Sequence, residues 1–215
     1  RMMESLAEVV RLAIRFEGVV QGVGFRPFVH RLALEFGLGG WVLNSPQGVE
    51  IEAEGDADRL DEFARHILAG HPAGAVVSRH EIRQVTPRGE SRFAILESFV
   101  TGVRRPSLPG DLAACAACMA EIDDPASRRF RYPFTTCSSC GPRYSVAEDL
   151  PYDRRATSMR RFPMCIECAR EYGDPNDRRF HAETIACAAC GTRTASDFAR
   201  RWPSARGAAA RCRPC

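Results

Sequence analysis

The chain has 215 residues, 45% of them hydrophobic and 27% charged, with a formal net charge of +3, enough for one large domain or two small ones. No apolar run approaches the roughly 18 residues of a membrane span. All basic residues other than histidine are arginine, and the last 25 residues hold six of them against one acid, Asp197, leaving 24 arginines and 26 acids in the first 190; a basic body built for nucleic acid is not indicated.

The N-terminal stretch RMMESLAEVVRLAIRFEG is interrupted by Glu4, Glu8, Arg11 and Arg15. It lacks the unbroken apolar centre of a signal peptide, so the expected location is cytoplasmic. Residues 11–17, RLAIRFE, then alternate, with Leu12, Ile14 and Phe16 on one face, and predict a half-buried strand. Pro27 suits a first helical turn, and Phe28, Val29, Leu32, Ala33 and Phe36 recur at helical spacing up to GLGG, placing His30, Arg31 and Glu35 toward water. WVLN (41–44) and VEIEAE (49–54) predict two strands about the turn SPQG. Asp56 is a candidate cap for a second helix carrying Leu60, Phe63, Ala64 and Ile67. AVVSRHEIR and RFAIL supply closing strands. The order βαββαβ with a short extra strand predicts an α+β, ferredoxin-like sandwich, an antiparallel sheet with two helices on one face. Glu50, Glu52 and Glu54 fall on alternate strand positions and read as a solvated face rather than a catalytic cluster.

Between the first strand and first helix lies VVQGVGFRPF (19–28). Glycines at a strand-to-helix corner are more often structural than functional, yet they also permit successive N–H groups to aim at one point, and the helix N-terminus adds positive potential. Arg26 stands at the expected rim, where its planar fork suits two phosphate oxygens. With the residues that follow it, VQGVGFRPFVHRLALEFGLGGWVLN running on to GVEIEAEG, the stretch resembles the acylphosphatases, whose signature is a VQGVxFR loop followed after one helix by a GWVxN strand. That resemblance covers residues 10–98. It implies that the backbone of Gln21, Gly22, Val23, Gly24, Phe25 and Arg26 cradles the phosphate of an acyl phosphate, that Arg26 anchors it, and that Asn44 positions the attacking water. FEGVVQG departs from the pattern, because small acylphosphatases usually carry an arginine just before VQG. This argues against efficient turnover of generic acyl phosphates and leaves the pocket intact. His30, on the polar helix face, is a poor candidate base, so the substrate phosphate is expected to take the proton of water.

VTGVRRPSLPGD has the glycine, proline and charge of a linker. All ten cysteines follow it as five CxxC pairs, none before Cys115. Without a secretion signal such pairs read as metal or redox motifs before they read as disulfides. CAACMAEIDDPASRRFRYPFTTCSSCGPR and CIECAREYGDPNDRRFHAETIACAACGTR align at a period of 50 residues. Both share four cysteines, the Glu after the second, Asp-Pro, Arg-Arg-Phe, the final Gly and an Arg beyond it (Arg143 and Arg193). Each copy is CxxC, eighteen residues, CxxC, the spacing of a tetrahedral structural Zn²⁺ site, so two zinc ions are expected. An iron–sulfur cluster is also compatible with cysteine ligation, and a dithiol redox pair is less so. The ligands either come from within one copy (Cys115, Cys118, Cys137 and Cys140; Cys165, Cys168, Cys187 and Cys190) or cross between copies; the shorter loop favours the first. His181 aligns with Arg131 and is not needed as a ligand. The RRF stretches read as structural, with Phe plugging a tiny core and Arg pairing with Glu or Asp. Metal binding, worth about 10–16 kcal/mol per site, would supply most of the folding energy of so small a module.

The two modules in this order, with RYPFTTCSSCGPRYS, LPYDRRATSM and EYGDPNDRRFHAE, resemble the N-terminal portion of the HypF family, carbamoyltransferases that mature nickel–iron hydrogenases. The resemblance spans residues 10–191. It implies carbamoyl phosphate as the substrate and a HypE-type maturation partner reached through further ATP-using and transfer domains. Complete transfer is therefore not expected of this chain alone. The expected organisation is an acylphosphatase-like domain at 1–98, a linker at 99–110, a domain of twin four-cysteine zinc fingers at 111–193 and an atypical, disordered tail at 194–215. That tail turns Arg- and Ala-rich where the family continues with CGP and a leucine-rich stretch, and it reads as unrelated or frameshifted coding sequence or the end of an expressed fragment; Cys212 and Cys215 lack a second pair and are not assigned as ligands. The alternative to hydrolysis is a module that holds an anion without turnover while the fingers dock other proteins.

Overall fold

The alternating run folds as strand β1 (Val9–Val19) in a computed structural model that describes residues 9–100 and 108–192. Residues 101–107 of the expected linker, and the tail with Trp202, Cys212 and Cys215, lie outside the described residues. Helix α1 (Phe25–Glu35), strands β2 (Gly39–Ser45) and β3 (Gly48–Asp56), helix α2 (Ala57–Gly70), β4 (Val76–Val85) and the short β5 (Phe93–Ile95) follow. The sheet order is β4-β1-β3-β2-β5, antiparallel except for β2 with β5. This is the predicted ferredoxin-like sandwich with its extra strand at one edge. Asp56 caps α2 as its position suggests, its side chain accepting from the backbone N–H groups of Asp58 and Arg59 at 3.1 and 3.3 Å. Leu60, Phe63, Ala64 and Ile67 pack with Ile14, Phe16, Val42, Val49 and Ile51 into the core.

Two readings of exposure are corrected. Glu54 is not solvated: Arg11, 0% exposed, donates to Glu54 and Glu52 at 2.8 Å and to Glu90 at 3.1 Å. Alternation placed Glu52 and Glu54 on the outer sheet face correctly, but Arg11 of the neighbouring strand and Glu90 come close enough there that Arg11 and Glu54 are buried. His30 is also buried, because the second half of the chain covers that side of α1 and sets the Phe180 ring 5.2 Å from the imidazole. Arg31 and Glu35 are exposed as predicted.

A bulge between Glu17 and Gly18 turns the end of β1 toward the glycine loop. Gly18 has φ 119°, and a Cβ there would lie 2.2 Å from the Val76 carbonyl oxygen, so only glycine fits.

In the second half each repeat begins with a short helix, α3 (Ala116–Asp123) and α4 (Ile166–Gly173), with Cys115 and Cys165 at the N-caps. The shared Arg-Arg-Phe stretches cross between copies. Arg129 donates to Glu171 at 2.6 Å and Arg128 pairs with it at 2.7 Å. Reciprocally, Arg178 pairs with Glu121 at 2.7 Å and Arg179 donates to it at 3.0 Å. The Arg–Glu pairing read from the repeat is present, and it joins the two copies instead of closing each one. The Phe plug is corrected in both copies: Phe180 is buried, but against His30 of α1 and outside the finger's own apolar cluster, and Phe130 is exposed beneath Arg131.

Burial alone would raise the Glu54 carboxyl, but hydrogen bonds from the Arg88 backbone, Arg11 and the Gly89 backbone hold it below its ordinary value. Its stabilising effect is therefore full above the unfolded pKa of about 4.3 and lost as pH falls through the lowered folded value. Glu54→Gln is expected to speed hydrogen exchange of β1–β3 amides at neutral pH by roughly tenfold, the effect of one lost buried acceptor. The difference from the parent should shrink below about pH 4; an equal difference at pH 7 and pH 3 would contradict this ion-pair assignment.

Candidate functional site

The glycine loop turns its backbone toward a cavity because its side chains are used elsewhere. Val23 and Phe25 point into the sandwich core. Gly24 caps α1 in the left-handed conformation, φ 78°, a geometry that favours glycine. The first N–H groups of α1 have no partner within the helix, which leaves them for an anion. Gln21 braces this turn: its Nε2 donates to the Ser45 and Gly48 carbonyls at 2.7 and 2.9 Å, fixing the loop to the β2–β3 turn.

The cavity is lined by Gly24, Arg26, Asn44, Tyr152, His181 and Glu183, among others, and holds about 20 Å³, room for roughly one water. Asn44, on β2, is 1% exposed. Its Nδ2 donates to the Tyr152 carbonyl at 3.2 Å, while its Oδ1 is buried without a hydrogen-bond partner. The Tyr152 acceptor fixes the amide's orientation, since the flipped form would set two oxygens against each other. A buried acceptor in this state calls for a donor, and a water fits.

Arg26 is not at a rim with a free fork, as the sequence suggests. It is 8% exposed and pairs with Asp153 and Glu183, each at 2.8 Å. It also donates to the Tyr152 carbonyl at 3.3 Å and Ser98 Oγ at 3.4 Å. Burial opposes the charge on Arg26, but Glu183 and Asp153 more than restore it. Burial pushes the Glu183 carboxyl up, Arg26 pulls it down, and sharing the arginine with Asp153 pushes it up again. Arg143 reaches back to the loop, donating to the Gly22 carbonyl through Nε and to the Ser138 carbonyl at 3.0 Å.

Both histidines are held as weaker bases than an ordinary imidazole. Burial lowers the His30 pKa, and burial with the nearby Arg26 charge lowers that of His181 to about 4. His181 packs on Tyr172 and Phe180, away from the cysteines, in agreement with its exclusion as a ligand.

The eight candidate cysteines form two clusters, each drawn from one copy. In the first, Cys118–Cys140, Cys137–Cys140 and Cys115–Cys137 sulfurs lie 3.4, 3.6 and 3.8 Å apart. In the second, Cys168–Cys190, Cys165–Cys187 and Cys187–Cys190 lie 3.5, 3.7 and 3.8 Å apart. A tetrahedron with metal–sulfur bonds of about 2.3 Å has edges of about 3.8 Å, so both sets fit a single metal ion. The crossing arginines extend to the sulfurs: Arg178 donates to Cys118 at 3.0 Å and Arg128 to Cys168 at 3.4 Å. Such outer hydrogen bonds orient thiolates and spread their charge.

Sequence reasoning missed Tyr152, Asp153 and Glu183. The one available cue was divergence between repeats: Glu183 stands where the first copy has Pro133.

Comparison with known proteins gives the same two parts. The Acylphosphatase family profile matches residues 12–95, and the HypF finger profile matches residues 114–147 and 164–195. The carbamoyltransferase HypF2 of Cupriavidus necator is 50% identical over 156 residues, 72% of this chain and 19% of that protein. An acylphosphatase of Thermotoga maritima is 46% identical over 85 residues, 39% of this chain and 93% of that protein. Among solved structures, full-length HypF in its phosphate- and nucleotide-bound form superposes with a TM-score of 0.83 at 44% identity, covering 86% of this chain and 24% of that one. The chain thus spans only about a fifth to a quarter of the HypF proteins it matches.

Native mass spectrometry should show two metal ions per chain. Chelation should abolish amide protection in α3 and α4 while the sheet stays protected, because the helices start at ligand cysteines. Any other stoichiometry, or unchanged protection after metal loss, would contradict the two-site assignment.

Proposed function

The chain belongs to the acylphosphatase family and, with the finger pair behind that domain, corresponds to the N-terminal portion of HypF; from this we propose that it binds carbamoyl phosphate and hydrolyses it to carbamate and inorganic phosphate. The observation that carries the reading is convergence on one cavity of three groups: the free N–H end of α1, the Arg26 guanidinium and the unpartnered Asn44 oxygen. An acyl phosphate is already activated, so holding its phosphate and orienting a water are sufficient chemistry. Arg26 and the loop amides take the phosphate oxygens. Asn44 Oδ1 accepts one hydrogen of the water and aims its lone pair at the substrate. Water adds, the acyl–phosphate bond breaks, and the departing phosphate takes the proton, since His30 and His181 are both held weakly basic.

Zinc is the metal we assign to both cysteine clusters. Four thiolates at tetrahedral edge length suit one Zn²⁺, whereas a multinuclear cluster requires its sulfurs spread further apart. Its role is structural: it holds α3 and α4, and through them the segments that face Arg26. Within a longer HypF-type carbamoyltransferase this region receives carbamoyl phosphate, and the carbamoyl group passes to a HypE-type partner through parts beyond this chain.

A second reading, anion binding without turnover, is favoured by the engagement of Arg26 with two carboxylates. Phosphate release from carbamoyl phosphate separates the two. Arg26→Ala should abolish release and Asn44→Ala should lower kcat by about 10²–10³. Phosphate binding with no release supports the second reading, and equal rates for parent and Arg26→Ala would remove Arg26 from the mechanism.

A further inference from the structure

We propose that the finger domain plugs the acyl phosphate pocket, its Glu183 and Asp153 carboxylates occupying Arg26 where phosphate binds, so that substrate enters only by exchanging with them. This rests on the pocket reading above and adds a gate to it.

The carboxylates take the arginine at its two terminal nitrogens, Asp153 Oδ1 on Nη1 and Glu183 Oε1 on Nη2, each at 2.8 Å. Two oxygens on one guanidinium is also how an arginine recognises phosphate. The plug also engages Asn44: the Tyr152 carbonyl, next in sequence to Asp153, accepts from Arg26 and from Asn44 Nδ2, leaving only Oδ1 facing the cavity. Space gives the same result, because a cavity of about 20 Å³ admits a water and excludes a phosphate group. Both terminal nitrogens of Arg26 are taken by these carboxylates, so an incoming phosphate must exchange with at least one of them.

Glu183 is built into the fingers and is not a loose surface side chain. Its Oε2 accepts from the Tyr172 hydroxyl at 3.0 Å and from the Arg154 backbone N–H at 2.9 Å, leaving Oε1 for Arg26. Those two donors can hold the carboxylate after it releases Arg26, which gives the open state a place for its charge. Asp153 is carried by a segment latched to the glycine loop through the Tyr152 backbone N–H, which donates to Gln21 Oε1 at 2.9 Å. Phosphate arriving at Arg26 therefore displaces finger groups directly, and pocket occupancy is communicated to the metal-bearing half of the chain.

The test uses the full chain with inorganic phosphate as probe, by isothermal titration in phosphate-free buffer, with the metal content of each variant checked by native mass spectrometry. Glu183→Gln keeps the shape and removes one plug charge; Asp153→Asn removes the other at a position nearer the surface and decides the matter if the first variant fails to fold. Each should bind phosphate at least about tenfold more tightly than the parent, and Arg26→Ala should not bind. If parent chain binds phosphate and both neutralised variants bind equally or more weakly, the carboxylates are a structural brace or part of the site, and the plug is overturned while the pocket reading stands. If neither parent nor neutralised variants bind phosphate, both fall.

Discussion

A buried guanidinium cannot be left without an anion, and Arg26 is the point at which both halves of this chain meet that requirement. Removing one partner from a buried ion pair typically costs about 3–5 kcal/mol, so Arg26 can release the finger carboxylates only to another anion, which on the function proposed above is phosphate. The fold places it for both. The bulge at Gly18 and the left-handed Gly24 bring Arg26 to the first turn of α1 beside Asn44, while the fingers bring Asp153 and Glu183 to the same nitrogens. The pocket thus belongs to the interface of the two parts as much as to the acylphosphatase fold.

That interface in turn depends on the cysteine clusters. The finger half has small hydrophobic clusters made largely of the cysteines themselves, so its shape comes from what the sulfurs hold. Each cluster fixes the start of a short helix. The helix presents Glu121 or Glu171, and the arginines of the other repeat close on that carboxylate and on a ligand sulfur. Neither repeat is complete without its twin. Tyr172 and the Arg154 backbone then position Glu183, so a physical path runs from metal to thiolate, arginine and helix, and on to the carboxylate at Arg26.

The parts legible in the sequence were those with a local rule. Alternation located β1, helical spacing and Asp56 located α2, and the CxxC spacing located both ligand sets, because in each case the physics acts over a few residues. What escaped was made by tertiary contact. Glu54 read as solvated since nothing in its strand states that its side chain will meet Arg11 across the sheet. His30 read as exposed because α1 taken alone has a polar face there, and only docking of Phe180 covers it. Asp153 and Glu183 lie in polar stretches without periodicity, and their significance arises from a partner more than a hundred residues away. The repeat held one further clue. Positions shared between copies, such as Arg129 and Arg179, proved to be scaffold, and the divergent pair Pro133 and Glu183 marked a carboxylate that reaches the pocket.

A crystal structure of this chain grown with inorganic phosphate tests the central claim, that Arg26 serves phosphate and the fingers by turns. Phosphate is expected on the loop N–H groups and Arg26, with Glu183 withdrawn to Tyr172 and the Arg154 backbone and the Tyr152 carbonyl moved off Asn44. Phosphate bound elsewhere, with both ion pairs to Arg26 unchanged, would contradict it.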